Sequence, residues 1–141
     1  MPGQPDVMIE KTCDVYGENG VGQPIEVDFK EINIKDFDSD RYKRQIIYNI
    51  DCGEKSSSNP QLKMIFKSDV SSFNNQLIAT NKQDSLGLQL FSNGITLAPY
   101  QEYSFYYNNK PSLVVKPIIH EPNENTFGTF FASGTLSIEY E

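Results

Sequence analysis

Tryptophan is absent from this chain of 141 residues, histidine occurs once and cysteine twice. No apolar run approaches the roughly 18 residues that a membrane-spanning helix needs, so direct membrane insertion is not expected. Lysine and arginine together number 12 against 19 acidic residues, and no basic cluster interrupts that balance. A surface that binds nucleic acid carries the opposite sign, so nucleic acid is not expected as a partner either.

Residues that carry catalysis in other proteins are few in this sequence. His120 is the one candidate general base, and Glu121 directly after it would point to the opposite face of a strand, so the two are not expected to cooperate. No G-x-S-x-G or other nucleophile signature is present. The alternating acids of residues 36–40 resemble a calcium loop without its later glycine and glutamate, which predicts a solvated turn. We therefore expect that the protein is not an enzyme and has no catalytic residue, no metal site and no cofactor.

The sequence does contain many runs in which apolar and polar residues alternate. Ile46, Tyr48 and Ile50 form one such run, and Leu62, Met64 and Phe66 form another. A period of two predicts half-buried strands, and the Gly-, Asn- and Pro-rich stretches between the runs predict turns. Seven or eight short strands at this spacing predict an all-β sandwich. The expected organisation is one domain over residues 13–141, preceded by a short segment, residues 1–12.

Two local predictions accompany this fold. Asn93-Gly94 lies between alternating runs, and this dipeptide is the strongest short hairpin signal because both central residues must take positive φ. Residues 69–80 are rich in serine and asparagine and are predicted to form a loop.

Cys13 and Cys52 leave two alternatives, a single disulfide or two buried free thiols. Both flank predicted strands, which favours a bridge between neighbouring strands. Such a bridge would close a loop of about 38 residues and stabilise the fold by about 4 kcal/mol. It would also indicate an oxidising compartment. Met1-Pro2-Gly3 is interpreted as a start from which a secretory signal has already been removed.

The last residues form the longest alternating run of the chain. Every second position from residue 128 is apolar or glycine: Gly128, Phe130, Ala132, Gly134, Leu136, Ile138 and Tyr140. This pattern predicts one uninterrupted strand of about a dozen residues. With no later strand to pair against it, its edge is expected to be covered by a strand from another chain. The alternative is an ordinary final strand paired on both sides by earlier ones.

The same residues carry a family resemblance. Gly128 is fourteenth from the end and Tyr140 is penultimate, with the alternating apolar residues between them. Three further features agree with this pattern and appear in the same order: Cys13 ahead of residues 24–29, the run of residues 48–52 that ends in Cys52, and residues 86–90 leading into Asn93-Gly94. In these features the chain resembles the pilins of bacterial chaperone–usher fimbriae.

The resemblance implies an immunoglobulin-like β-sandwich that lacks its last strand, so that a hydrophobic groove is left open. The resemblance also implies that a periplasmic chaperone would fill that groove first, and that the N-terminal extension of a neighbouring pilus subunit would replace it after delivery to the outer-membrane usher. The residues that would form the acceptor strand and the carboxylate held by the chaperone are Gly128, Phe130, Ala132, Leu136, Ile138, Tyr140 and Glu141. The implied function is that of a structural subunit, secreted through the periplasm to the cell-surface fimbria.

One feature departs from the family pattern. Only twelve residues precede Cys13, whereas the family's polymerising subunits carry a longer extension. Val7 and Ile9 alternate in this segment and form a possible, short donor strand. A subunit with a shortened extension, the pilin domain of a tip adhesin and a minor adaptor subunit all remain open. A further alternative is an adhesin that binds a receptor or carbohydrate through exposed tyrosines of residues 103–107, because tyrosine stacks well on sugars and protein partners.

Overall fold

The structure, a computed structural model, describes residues 12–17, 26–28, 31–35, 39–82 and 84–141. The possible donor residues Val7 and Ile9, and residues 36–38 of the acidic turn, lie outside the described residues. The strands, in chain order, are β1 Thr12–Tyr16, β2 Glu26–Asp28, β3 Ile32–Ile34, β4 Arg44–Ile46, β5 Asn49–Asp51, β6 Gln61–Lys67, β7 Val70–Ser71, β8 Asn74–Ala79, β9 Leu86–Ser92, β10 Ile95–Leu97, β11 Glu102–Tyr106, β12 Leu113–Ile119, β13 Gly128–Phe130 and β14 Ser133–Tyr140.

Short 3₁₀ turns are the only helical elements in these described ranges. They cover Ser39–Tyr42, Gly53–Ser58 and Tyr107–Asn109. No helix in the described part of the chain has the length and apolarity needed to cross a membrane.

The strands form two main antiparallel sheets that enclose one core, which confirms the predicted all-β, sandwich-like fold. The first sheet has the order β11-β6-β14-β1-β5, and β2 also pairs with β14. The second has the order β4-β12-β9-β8-β7, and β10 also pairs with β9. β13 and β3 form a separate two-stranded sheet. A single hydrophobic cluster contains residues from all three sheets.

The period of two places the apolar side chains in this core. Leu62, Met64 and Phe66 of β6 are completely buried, whereas the residues between them are only partly buried. The same alternation recurs on β12, where Leu113 and Val115 are completely buried. A strand directs successive side chains to opposite faces, so these runs supply one inner and one outer face to each sheet.

The predicted hairpin is confirmed. β9 and β10 pair with Ser92 opposite Ile95, so that Asn93 and Gly94 are the two connecting residues. Their φ values are 50° and 81°, the positive values that a tight hairpin turn of this kind requires. The side-chain oxygen of Asn93 also accepts a hydrogen bond from the backbone N–H of Ser112, which ties the turn to the segment before β12.

The prediction of one uninterrupted C-terminal strand is wrong. The run is divided into β13 and β14, which belong to different sheets. At the break, the backbone N–H of Phe131 donates to the side-chain oxygen of Asn81, and the backbone N–H of Asn81 donates to the carbonyl of Phe131. These two bonds replace strand pairing at Phe131, and its side chain is 55% exposed.

The prediction that the final strand has an unpaired edge is also wrong. β14 pairs with β6 on one side and with both β1 and β2 on the other. The strand therefore lies inside the first sheet, as in the alternative of a final strand paired by earlier ones. Strand pairing joins residues that are far apart in sequence, which is why the C-terminal pattern alone did not show it.

Residues 69–80, predicted to be a loop, instead contain β7 and β8 joined by a turn. Leu77 and Ile78 are buried there, and Ile78 pairs with Leu88 of β9. These two side chains decide the structure of a segment whose serine and asparagine content favours a loop.

Candidate functional site

The side of β14 that faces β6 is paired along most of its length. The register is continuous from Thr135 opposite Lys67 to Tyr140 opposite Leu62, and the next residue, Glu141, donates its N–H to the carbonyl of Gln61. Main-chain groups in an antiparallel pair point alternately toward and away from the partner strand. The main-chain N–H and C=O groups of the odd-numbered residues of β14 therefore point toward β6, and those of the even-numbered residues point toward β1 and β2.

The opposite side of β14 is covered by two short, separate segments, and we call it the split side. β2 covers Ser133–Thr135 and the start of β1 covers Ile138 and Glu139. Between them, Leu136 and Ser137 have no register partner on this side among the described residues. The main-chain groups of Leu136 point toward this interruption.

The inward face of β14 is apolar, as its period of two predicted. Leu136 and Ile138 are buried, and Tyr140 is partly buried against the core. Glu141, by contrast, is exposed. The structure therefore brings Leu136, Ile138 and Tyr140 together on one strand of the first sheet, and Glu141 follows that strand directly.

The other C-terminal residues of the predicted acceptor strand lie elsewhere. Phe130 is completely buried but belongs to β13, and Ala132 is buried at the break between the two strands. Gly128 begins β13 with φ at 104°, a conformation that side-chain-bearing residues rarely adopt. Gly128 is thus explained by local backbone geometry, without reference to a groove.

Gly134 allows an aromatic ring to pack against the middle of the first sheet. A Cβ atom at this position would overlap the ring of Phe66 and lie 2.9 Å from the carbonyl oxygen of Lys67. Phe66 is completely buried, so moving its ring aside would disturb the core around it. The glycine in the alternating run is required by close packing against β6.

The disulfide decides between the two alternatives left open by the sequence. Cys13 and Cys52 are bonded, with an S–S distance of 2.12 Å and Cα atoms 4.5 Å apart. That Cα separation is typical of a non-hydrogen-bonded antiparallel pair. The main chain of Cys13 therefore faces β14, while that of Cys52 faces away from β1. The bridge attaches β5 to the strand that covers one end of the split side.

The outer edge of β5 is occupied by side chains. By the same alternation the carbonyl of Ile50 points away from β1, and Tyr48 and Cys52 flank the strand on either side. The Lys110 ammonium donates to the carbonyl of Tyr48, the Tyr107 hydroxyl to that of Ile50, and the Tyr140 hydroxyl to that of Cys52. We call Lys110, Tyr107 and Tyr140 the edge caps. They occupy acceptors that an added strand would use.

Tyr48, the residue directly before β5, connects that strand to the segment of residues 110–111. Its hydroxyl donates to the carbonyl of Pro111, and the Lys110 ammonium lies 4.7 Å from the centre of its ring. Burial, with a smaller contribution from Tyr103, raises the pKa of Tyr48 far above its usual value. The neutral hydroxyl that this favours is the form that can donate to a carbonyl.

Two other exposed aromatic groups bear on the adhesin alternative. Tyr100, before β11, is 61% exposed, and Tyr106, at the end of β11, is 49% exposed, whereas Phe105 is buried in the core. His120 follows β12 and stacks on Phe73 with ring centres 4.6 Å apart. Its Nε2 lies 3.7 Å from a carboxylate oxygen of Glu121, so these neighbours do approach each other, contrary to the expectation for adjacent strand residues.

Comparison with protein-family models, with curated proteins and with solved structures finds no match for this chain.

Proposed function

We propose that this protein is a structural subunit of an extracellular bacterial fimbria, an immunoglobulin-like sandwich short of its last strand that is completed by a donor strand at β14. A periplasmic chaperone supplies that strand first and a neighbouring subunit supplies it in the fibre. The observation that carries the proposal is the split side of β14, where two short segments and an interruption stand in place of one continuous strand.

The split side accounts for both pairing and exchange. A single extended donor strand can form main-chain hydrogen bonds with both Gly134 and Leu136. β2 pairs only with Ser133–Thr135 and does not reach Leu136. The donor would displace β2 and extend across the interruption toward Ile138, where the disulfide retains Cys13. Main-chain bonds supply affinity in such strand addition, and alternating side chains supply specificity.

The exchange step can be tested with a synthetic peptide of residues 23–31, which carries the alternating Ile25, Val27 and Phe29 of the segment that contains β2. A fluorescent label reports incorporation by co-elution with the full chain in gel filtration. Because the tethered β2 competes at an effective concentration of order millimolar, the peptide must be used at that concentration. A peptide of the same composition with its apolar residues adjacent serves as the control.

A covalent lock makes this test specific for the split side. Glu26 and Thr135 are register partners, so the double variant Glu26→Cys/Thr135→Cys would fix β2 on β14. We expect peptide incorporation into the wild-type chain, its loss in the oxidised lock, and its return on mild reduction. Incorporation that the lock does not reduce would contradict exchange at β14.

Assembly in cells tests the function itself. Antibodies raised against the purified chain, used for immunogold electron microscopy of the organism that produces it, should label thin surface fibres along their length. Label confined to the fibre tip would favour an adhesin or adaptor position. Absence of labelled fibres from cells that produce the chain would contradict the proposal.

A carbohydrate- or receptor-binding adhesin is the second candidate, favoured by the exposure of Tyr100 and Tyr106 beside one strand. A glycan array separates it from the first, since a purely structural subunit binds no glycan. Binding that is lost in Tyr100→Ala or Tyr106→Ala would support the adhesin.

A further inference from the structure

β11 is the edge strand at the end of the first sheet that lies opposite β5. Its register with β6 runs from Glu102 opposite Ile65 to Tyr106 opposite Gln61, and the following N–H, that of Tyr107, donates to the carbonyl of Pro60. By the alternation of antiparallel pairing, the main-chain groups of Glu102, Ser104 and Tyr106 point away from β6. No strand in the described part of the chain pairs with this outer edge.

The surface beside this edge is acidic. The Lys63 ammonium lies 3.6 Å from a carboxylate oxygen of Glu102 and 3.8 Å from one of Glu139, so one cation stands between two anions. A third carboxylate, that of Glu141, accepts a hydrogen bond from the Ser104 hydroxyl. Glu102, Ser104 and Glu141 are all exposed. An incoming strand would therefore meet main-chain groups that no described strand pairs with, together with an excess of negative charge.

We infer that the outer edge of β11 binds an extended, basic segment of a partner protein as an added antiparallel strand. Lysine or arginine opposite Glu102 and Ser104 would face the carboxylates, and an apolar residue opposite Tyr106 would cover its ring, which is 49% exposed. This inference goes beyond the proposed function, because the exchange site at β14 is separated from β11 by β6.

A second copy of the chain fits this edge less well. Symmetric antiparallel pairing centred on Ser104 would bring two Ser104 residues together, and each hydroxyl donates to its own Glu141 carboxylate. Two like charges would then meet at the seam, which opposes association. The net charge of the chain, −7, acts in the same direction.

The probe is the synthetic peptide acetyl-Thr-Leu-Val-Lys-Val-Arg-Thr-amide, titrated into the full chain by isothermal calorimetry. Ser104→Pro is the main variant, because proline removes an N–H that points away from β6 and leaves the β11–β6 ladder intact. We expect loss of binding in Ser104→Pro and retention in the matched control Ser104→Ala. Circular dichroism establishes that both variants are folded. Binding by a folded Ser104→Pro equal to that of wild type would overturn the inference.

The charge requirement is tested separately and does not depend on the proline variant. Glu102→Gln and Glu141→Gln should each weaken binding by up to about fivefold, as expected for exposed ion pairs. The double reversal Glu102→Lys/Glu141→Lys should lose binding of the basic peptide and gain binding of the peptide with glutamate in place of lysine and arginine. Equal binding of both peptides to wild type would overturn the inference.

Two further measurements examine the main-chain contact and the alternative occupant. Hydrogen exchange at the Ser104 amide should slow when the peptide binds, and an unchanged rate would show that binding is only electrostatic and overturn the inference. A wild-type dimer in light scattering that Ser104→Pro converts to a monomer would also overturn it, because a second copy would then occupy the edge.

Discussion

The first sheet ends in two edge strands, β5 and β11, whose outward main-chain groups differ in their hydrogen-bond partners. On β5 and its two flanking residues, the carbonyls of residues 48, 50 and 52 accept hydrogen bonds from the edge caps Lys110, Tyr107 and Tyr140. On β11, the outward groups of Glu102, Ser104 and Tyr106 meet no described strand. Edge strands with unused main-chain groups are the places where other chains add. Among the described residues, side chains therefore occupy main-chain acceptors at one end of the sheet, and no strand pairs with the outer edge at the other.

The same short segment contributes to both edges. Tyr107 follows β11 directly, yet its hydroxyl reaches the carbonyl of Ile50 on β5. Tyr107 therefore follows the edge strand β11 in sequence, but its side chain occupies an acceptor on β5, at the opposite end of the sheet. Side chains from elsewhere in the fold, more than the strand's own sequence, decide which edge can accept a partner.

The largest expected effect comes from removing the disulfide that attaches β5 to β1. Cys13→Ala/Cys52→Ala opens a loop with a sequence separation of 39. The unfolding free energy should fall by about 4 kcal/mol in the chain-entropy model, measured by urea denaturation. Peptide binding at β11 should persist in the remaining folded protein. An unchanged denaturation midpoint would show that the bridge does not hold the capped edge.

The next effect concerns β14, which lies between the two edge strands. Gly134→Ala would force a methyl group into the buried ring of Phe66, an overpacking that costs about 1–3 kcal/mol in unfolding free energy. Gly17→Ala is the matched control, since its nearest neighbour would be the Ile47 carbonyl oxygen at 3.7 Å. Both variants are compared by thermal denaturation. Equal stability of the two would contradict the packing described at Gly134.

Removing the tyrosine caps should make the β5 edge more like the β11 edge. Tyr107→Phe and Tyr140→Phe each leave a carbonyl without its hydroxyl donor, and each should lower the unfolding free energy by about 0.5–1.5 kcal/mol. The double variant should also self-associate more at high concentration, as seen by light scattering. Tyr106→Phe, with its exposed ring on β11, is the control and should change neither property.

The smallest effect is expected at the charged surface beside β11. Glu102→Gln removes one exposed partner of Lys63 and should change the unfolding free energy by less than about 0.5 kcal/mol. The same variant should nevertheless weaken binding of the basic peptide. A stability loss above about 1 kcal/mol would indicate that Glu102 supports the fold and is not chiefly a binding residue.

Much of the fold could be predicted because it depends on local patterns. Leu62, Met64 and Phe66 share a buried face because strand side chains alternate, and Asn93-Gly94 forms its hairpin because both residues tolerate positive φ. The disulfide was favoured because both cysteines flank predicted strands, and the structure confirms it.

The features that sequence reasoning missed depend on distant contacts. The break at Phe131 is made by Asn81, 50 residues earlier. The edge caps join residues separated by 57, 62 and 88 positions, and each bond runs from a side chain to a carbonyl. The alternation of apolar and polar residues along a strand does not predict hydrogen bonds between a side chain and a distant carbonyl. The alternating C-terminal run predicts the side of β14 on which the Tyr140 ring lies, but not the Cys52 carbonyl to which its hydroxyl donates.

Amide hydrogen exchange on β14, resolved by residue, tests most directly whether its split side accepts a donor strand. The amides of Gly134 and Leu136 face the part of that side which a donor would cover, and those of Thr135, Ser137 and Glu139 face β6. We predict that the first set exchanges about tenfold faster or more, and that the peptide of residues 23–31 slows it without affecting the second. Equal rates for both sets, unchanged by the peptide, would contradict strand exchange at β14.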